Sequence, residues 1–183
     1  DAVAIDVDPG AGADLEARLR RFLLRTKASL APARWTGIAL RGPAVGDTVV
    51  EGGHRLPAAW PGLEAVDVLG PEGVAAPAAA DGADVLEALR IACGVPSMGA
   101  EITDATIPAE LGQWLIDASV SFTKGCYTGQ ELVARIDSRG GRVPHPVRGL
   151  AIDGAVPEVG ATVLAGEHEV GHLTSVAADA VRA

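Results

Sequence analysis

The stretch KGCYTGQE, residues 124–131, places a cysteine between two glycines immediately before a predicted helix. Thr128 and Glu131 have the spacing of a capping box, in which a hydroxyl and a carboxylate satisfy free N–H groups at a helix start. The residues that follow place apolar side chains at helical spacing as far as Ser138. We therefore predict a helix that begins at Thr128 and ends near Ser138, with Cys126 two residues outside it.

Cys126 has surroundings that favour a reactive thiolate. The positive end of the helix dipole stabilises an anion at this position, and Lys124 adds a nearby cation. Gly125 and Gly129 permit backbone conformations closed to other residues and let a ligand approach the main chain. A free cysteine is, however, often a small buried hydrophobe. The local chemistry alone leaves both interpretations open.

Composition excludes several classes of partner. The chain has 183 residues and a mass of 18.5 kDa, which is enough for one or two domains with a real core. Its net charge of -9 and pI near 4.8 disfavour binding to nucleic acid or to an anionic membrane. Three Trp, two Phe and one Tyr leave few side chains for base stacking. We therefore expect neither nucleic acid nor membrane as a partner.

Cysteine usage points to a reducing compartment. Cys93 and Cys126 are too few for a disulfide framework, so the cytoplasm is the expected location. We find no apolar stretch of the roughly 18 to 20 residues that a membrane span needs, and no signal peptide before Asp1. The sequence begins without Met, and residues 3–7 have the pattern of a strand that has already begun. We therefore expect that the sequence is not the complete gene product.

The remaining pattern predicts alternating helices and short strands. Hydrophobic spacing predicts helices over residues 14–27 and 81–93, the second capped by Asp81 and closed by Gly94, and a short helix over 109–116. Residues 52–77 are rich in Gly and Pro and read as turns with one strand candidate. The predicted strands cover residues 35–40, 65–69, 147–152, 161–164 and 172–176. We take Cys93, on the apolar side of its helix, as structural.

The run HEVGH, residues 168–172, matches the zinc-protease pattern H-E-x-x-H but lacks its context. That pattern needs a helix, so that both histidines face one metal ion. Gly166 and Gly171 weaken a helix, and the residues that follow are β-prone. We therefore predict a surface hairpin here and no metal site in the protein.

Two further constellations stay open on the residues alone. Cys126 with His145 or His54 would make a nucleophile–base pair, since such partners meet in space and not in sequence. A basic cluster near the motif is either a solvated helix end that complements the helix dipole or a clamp for a ligand carboxylate. The cluster consists of Arg135, Arg139, Arg142 and Arg148.

The stretch KGCYTGQE resembles the signature of the YgfZ-type folate-binding proteins, which assist the maturation or repair of iron-sulfur proteins. That family is related to the glycine-cleavage aminomethyltransferases. Other segments match in the same order: LRIACGVP at residues 89–96, Phe122-Thr123 directly before the signature, and VGHLTS at residues 170–175. The resemblance covers most of residues 14–176.

The resemblance implies an α+β, aminomethyltransferase-like fold around a tetrahydrofolate cleft. It implies a ferredoxin-like α/β region over residues 1–76 and a folate-cleft region with the motif over 77–145. A partial C-terminal antiparallel β-barrel domain would cover residues 146–183. Family members begin with a further N-terminal segment, and from the resemblance we expect that segment to be absent from the sequence given.

The function that the resemblance implies is a tetrahydrofolate-binding accessory protein for iron-sulfur cluster assembly or repair. The ligand would be tetrahydrofolate or a one-carbon derivative, the partners iron-sulfur client proteins, and the protein a monomer. Cys126 and Lys124 would carry the chemistry, and a further set would bind the cofactor. That set is Gly125, Tyr127, Gly129, Gln130 and Glu131. To it we add, as an inference from the basic cluster and not from the resemblance, a clamp of Arg139 and Arg148 on the glutamate tail.

Two alternatives are a folate-dependent one-carbon transferase and a folate-independent cysteine enzyme. The related aminomethyltransferases carry a pterin-binding Glu two residues before the glycine that matches Gly94. Here that position is Ala92. The loss of this carboxylate argues against ordinary aminomethyl transfer.

Overall fold

The computed structural model describes residues 2–8, 10–71, 74–75 and 82–178, and it combines short helices with antiparallel sheets. A short 3-10 helix, Pro108–Leu111, precedes α3. The mixed α/β class agrees with the prediction, while the predicted domain boundaries stay predictions. The elements in chain order are α1 Gly12–Arg20, β1 Thr36–Arg41, β2 His54–Pro57, β3 Ala65–Gly70, α2 Ala83–Ala92, α3 Gln113–Ser119, α4 Gln130–Ser138, β4 Thr162–Ala165 and β5 His168–His172.

The first sheet has the order β1-β3-β2 with antiparallel pairing throughout. Leu40 of β1 pairs with Val66, and Val68 of β3 is fully buried. Val45 and Val74 pack with Leu40 and Val68 into a small apolar core. Burying this one face of the sheet is the main source of its stability.

The strands predicted at residues 35–40 and 65–69 are confirmed, whereas β2 was not predicted. Its sequence, HRLP, carries no β-branched residue and ends in a proline, so it lacks the usual strand signal. All four residues are exposed, which is typical of a short edge strand that gains its order from a neighbour.

The N-terminal predictions are partly wrong. Residues 3–7 form no strand, and α1 ends at Arg20 instead of continuing to Lys27. No residue of α1 is buried, and Phe22 beyond its end is largely exposed. A helix without a packed apolar face is marginal in water, so its last predicted turns are lost.

Helix α2 is confirmed with a closing motif at Gly94. Gly94 has a positive φ of 67°, its N–H donates to Ile91 O, and the Val95 N–H donates to Arg90 O. These two bonds form a Schellman motif. The N-cap is Gly82; the predicted cap, Asp81, lies outside the described residues.

Gly112 divides the helix predicted over residues 109–116 into two pieces. Its φ of 107° is open to glycine but strained for other residues, and the Trp114 ring lies 3.2 Å from where a Cβ would stand. The 3-10 helix therefore ends before Gly112 and α3 begins after it.

The C-terminal part contains a β4–β5 hairpin that turns at Gly166, whose φ is 66°. The prediction of a hairpin at HEVGH is thereby confirmed. The strand predicted at residues 147–152 is absent, and the one predicted at 172–176 lies earlier, at His168–His172. Across the described ranges the strands form one three-stranded and one two-stranded sheet, with no closed barrel. The aminomethyltransferase-like architecture thus stays a prediction.

None of the helices in the described part of the chain is long and apolar enough to cross a membrane.

Candidate functional site

The motif residues line an open cleft of about 300 Å³ at the start of α4. This volume is at the lower end of the range for small-molecule pockets. The cleft combines a cation, a carboxylate, a carboxamide, a hydroxyl and two aromatic rings. Its lining residues are Ser121, Phe122, Lys124, Tyr127, Gln130, Glu131 and Ala134. Four of the predicted site residues are thus brought together on one surface.

Helix α4 begins differently from the predicted capping box. Gly129 is the N-cap, in a left-handed conformation with φ 86°. The Tyr127 N–H donates to Gln130 Oε1 at 3.1 Å, while Thr128 Oγ1 accepts a long bond of 3.4 Å from the Arg18 guanidinium. The prediction that Thr128 is the N-cap of α4 is therefore wrong. Gly129 can adopt a conformation that moves the helix start past Thr128.

Lys124 is held against the ring of Tyr127. Its ammonium nitrogen lies 5.1 Å from the ring centroid, within the range of a cation–π contact. Its backbone N–H donates to Ser121 Oγ at 3.2 Å, which fixes the turn before the motif. The cleft thus contains a positioned cation next to an aromatic face.

The two cysteines differ in their surroundings. Cys126 is exposed and follows Lys124 closely in the chain, but it is not among the residues that line the cleft. Cys93 is half-buried, and burial raises the pKa of its thiol. Cys93 therefore agrees with a structural role, and Cys126 is the more accessible thiol.

The two histidines considered as partners of Cys126 each have another contact among the described residues. His54 stacks on Trp35 with 5.5 Å between ring centroids, at the first sheet. His145 donates its backbone N–H to the Glu110 carboxylate at 3.1 Å. Among the described residues no hydrogen bond joins Cys126 to either histidine. The Cys–His pair of the folate-independent enzyme therefore stays a prediction.

The two arginines of the predicted clamp are not among the residues that line the cleft. Arg139 is the C-cap of α4, one helix length from the motif, and the Arg148 guanidinium donates to Val147 O at 2.9 Å. The clamp therefore stays a prediction.

His168 and His172 are too far apart along β5 to bind the same zinc ion in the way that the helical pattern requires. They stand at the two ends of β5, where four residues span about 13 Å. Zinc ligands must lie about 2 Å from one ion. This run is part of the hairpin, as predicted.

Sequence reasoning missed a buried ion-pair network around Arg90. Its guanidinium donates to Glu87, to Val95 O at 2.6 Å, to Glu101 at 3.2 Å and to Ser175 Oγ at 2.8 Å. Ser175 Oγ in turn donates to the other oxygen of Glu101 at 2.6 Å. The side chains of Arg90 and Glu101 are only 11% and 5% exposed. The network joins α2 to the residues after β5.

The contacts in this network lower the pKa values of its two carboxylates, Glu87 and Glu101. Burial alone would raise the pKa of Glu101, but hydrogen bonds from Ser175, Thr174 and Ser97 and the charge of Arg90 outweigh it, so the pKa lies below its ordinary value. The hydrogen bond from Arg90 is the largest cause that lowers the pKa of Glu87. Both carboxylates are therefore ionised partners of Arg90 at neutral pH.

Glu110 is a second buried carboxylate that sequence reasoning missed. Its side chain accepts the N–H groups of Ile107 and His145, each at 3.1 Å. Its carbonyl accepts the Val147 N–H at 2.8 Å. Glu110 thereby holds the extended segment after α4 against the 3-10 helix. The useful signal was a Glu two residues after Pro108, at the start of a helical turn.

Comparison with known proteins gives two partial similarities. The chain is 41% identical over 56 residues to an "Uncharacterized protein" of Haemophilus influenzae, covering 31% of this chain and 20% of that protein. It is 37% identical over 89 residues to "Putative transferase At1g60990, chloroplastic" of Arabidopsis thaliana, covering 49% of this chain and 19% of that protein.

These similarities span about a fifth of the length of the curated relatives. No family model matches the chain, and no solved structure matches it. The comparisons therefore support a similarity to a transferase-like protein over half of the chain.

Proposed function

We propose that this protein binds tetrahydrofolate, or a one-carbon derivative of it, and assists the assembly or repair of iron-sulfur proteins. The observation that carries the proposal is the convergence of Lys124, Tyr127, Gln130 and Glu131 on one open cleft. These residues belong to the one stretch that most closely resembles the YgfZ-type signature. Cys126, in the same stretch, is exposed.

The side chains of the cleft suit the chemistry of a folate ring. The Glu131 carboxylate is an acceptor for paired ring N–H groups, and the Gln130 amide can donate as well as accept. Lys124 supplies a positive charge for a carbonyl or carboxylate oxygen. At about 300 Å³ the cleft suits the ring system, with the benzoyl-glutamate part extending outside.

The extended part of the ligand would meet the clamp of Arg139 and Arg148. Arginine is well suited to carboxylates because its guanidinium donates two parallel hydrogen bonds. Replacing both arginines by Gln should weaken tetrahydrofolate binding about tenfold and leave the binding of a tetrahydropterin without a glutamate tail unchanged. Equal effects on both ligands would show that the arginines do not contact the tail.

Cys126 is the proposed chemical group beside the cleft. Its exposure makes the thiol accessible to a folate-bound one-carbon unit or to the cluster of a client protein. A thiolate is the form that attacks carbon and ligates iron. Cys126 lies three residues before Gly129, the N-cap of α4.

A folate-dependent one-carbon transferase is the second candidate. Similarity to an Arabidopsis protein named as a putative transferase favours it. Ala92, where the resembled aminomethyltransferases carry Glu, argues against ordinary aminomethyl transfer. Turnover of an aminomethyl or methyl donor by the purified protein would favour this candidate over the accessory role.

The test is an anaerobic calorimetric titration of tetrahydrofolate into the wild type, Cys126→Ala and Cys93→Ala. Cys93→Ala is the matched control, since it removes the same group from a half-buried position away from the motif. We expect all three proteins to bind tetrahydrofolate with similar affinity. In cells, we expect only Cys126→Ala to lower the activity of iron-sulfur enzymes.

Failure of the wild type to bind any reduced folate would overturn the proposal. Loss of binding in Cys126→Ala alone would make the cysteine a ligand contact instead of a chemical group. Unchanged iron-sulfur enzyme activities in cells that carry Cys126→Ala would remove the cysteine from the function.

A further inference from the structure

Phe122 occupies the boundary between two cavities. It lines the motif cleft, and it also lines an apolar groove on the other side, where it faces α3 and α4. Ile116, Val133 and Ile136 are among the apolar residues of that groove. The free space in the groove is about 20 Å³, close to the room that one water molecule needs. Of these two cavities in the described part of the chain, the cleft is therefore the one with room for a ligand.

The Phe122 ring is only partly used by packing. The residue remains 53% exposed although one side of it meets the groove. The chain has six aromatic residues in all, and two of them, Phe122 and Tyr127, line this cleft. Such a concentration in an aromatic-poor chain points to a binding role for these rings.

The two rings are not equivalent. The Lys124 ammonium lies 5.1 Å from the Tyr127 ring centroid and engages that ring. Phe122 has no cation over it among the described residues. The aromatic face of Phe122 is therefore the one available to a ligand.

We propose that Phe122 is a specificity-determining residue of this cleft, and that its ring stacks on the planar heterocycle of the ligand. This inference rests on the proposed function, since it names how the same cleft holds a folate ring. The pyrimidine half of a reduced pterin is planar and conjugated, so it can stack on an aromatic side chain. The polar residues across the cleft, Gln130 and Glu131, would then meet the ring edge.

The alternative role for Phe122 is purely structural, as an apolar plug for the groove. The two roles predict different responses to substitution. Leu fills the groove nearly as well as Phe but has no aromatic face, whereas Tyr keeps the face and adds only a hydroxyl. If Phe122 stacks on the ligand, Phe122→Tyr should bind the ligand more tightly than Phe122→Leu. If Phe122 only fills the groove, Phe122→Leu should bind the ligand at least as tightly as Phe122→Tyr.

The experiment measures the dissociation constants of tetrahydrofolate and of tail-less tetrahydropterin for wild type, Phe122→Tyr and Phe122→Leu. Phe22→Leu is the matched control, because Phe22 is the other exposed phenylalanine of the described residues, 69% exposed beyond the end of α1. If Phe122 stacks on the ligand, Phe122→Leu should raise both dissociation constants about fivefold to tenfold. Those of Phe122→Tyr and Phe22→Leu should stay within about twofold of the wild-type values. Thermal unfolding of each variant checks that the fold is intact.

The outcomes separate this inference from the proposed function. A wild type that binds neither ligand overturns both. A wild type that binds, with Phe122→Leu as tight as wild type, overturns the stacking role and leaves the folate cleft in place. If Phe122→Leu weakens the binding of tetrahydrofolate but not that of the tail-less tetrahydropterin, the ring of Phe122 contacts the tail. That result would also overturn stacking on the heterocycle.

Discussion

Replacing Arg90 by Met should destabilise the protein more than any other single loss of charge in the described network. Met replaces the apolar stem of the arginine by an unbranched chain but has no guanidinium and cannot donate hydrogen bonds. The change leaves Glu101, only 5% exposed, without its cationic partner. It also removes the guanidinium that joins α2 to Ser175.

The expected loss of unfolding free energy depends on which hydrogen bonds Glu101 keeps in the Arg90→Met variant. Removing one partner of a buried ion pair costs about 3–5 kcal/mol of unfolding free energy. Glu101 keeps the Ser97 N–H at 2.9 Å and the Ser175 hydroxyl at 2.6 Å, so the low end, about 3 kcal/mol, applies. Ser175→Ala loses two hydrogen bonds and should cost about 1–2 kcal/mol.

The assay is urea unfolding followed by circular dichroism at pH 7. Arg20→Met is the matched control, because Arg20 pairs with Glu16 on an exposed helix surface. It should change the unfolding free energy by less than about 0.5 kcal/mol. The double variant Arg90→Met/Ser175→Ala should lose about 1 kcal/mol less than the sum of the single losses, because both residues act in one network.

A loss below about 1 kcal/mol for Arg90→Met, or strict additivity with Ser175→Ala, would refute this reasoning. Either result would mean that the network contributes no more than a surface ion pair. The unfolding free energies of the variants can be compared only if the slope of free energy against urea concentration is the same for each variant and the wild type.

Three further predictions follow from burial and packing. Because the folded-state pKa of Glu101 is lowered, its stabilising contribution is present above the unfolded value of about 4.3 and is lost as the pH falls through the folded value; Glu101→Gln should flatten that acid dependence in urea titrations. In the native protein, iodoacetamide should alkylate exposed Cys126 about tenfold faster than half-buried Cys93, as followed by mass spectrometry, and equal rates would contradict this. Gly70→Ala, whose Cβ would lie 2.4 Å from Val74 and 2.8 Å from a backbone oxygen, should lower stability by about 2 kcal/mol in thermal unfolding, whereas Gly46→Ala meets nothing within 4 Å and should be near neutral.

The elements that sequence reasoning predicted well carry their signals locally. Strands β1 and β3 contain β-branched or apolar runs, and α2 ends at Ala92, where Gly94 closes the helix with a positive φ. The β4–β5 turn contains Gly166 at a positive φ. In each case the deciding residues lie within a few positions of the element that they define.

The elements that were missed depend on contacts between distant residues. Strand β2 is exposed and ordered by its pairing with β3. The Arg90–Glu101 pair spans 11 residues and the Arg90–Ser175 bond spans 85. Hydrophobic periodicity carries no information on which charges meet across such separations. The start of α4 is an intermediate case, because Gly129 competed with Thr128 for the cap and adopted a left-handed conformation.

The segments that resemble the folate-binding family divide into two groups in the structure. Residues 89–96 and 170–175 meet through Arg90 and Ser175, and neither residue lines the cleft, so their pattern is explained by packing. The stretch KGCYTGQE instead exposes its cysteine and lines the cleft with four side chains, which packing alone does not require. The two groups should therefore respond differently to substitution. Changes at Arg90 should alter stability first, whereas changes at Lys124 or Phe122 should alter ligand affinity in a protein that remains folded.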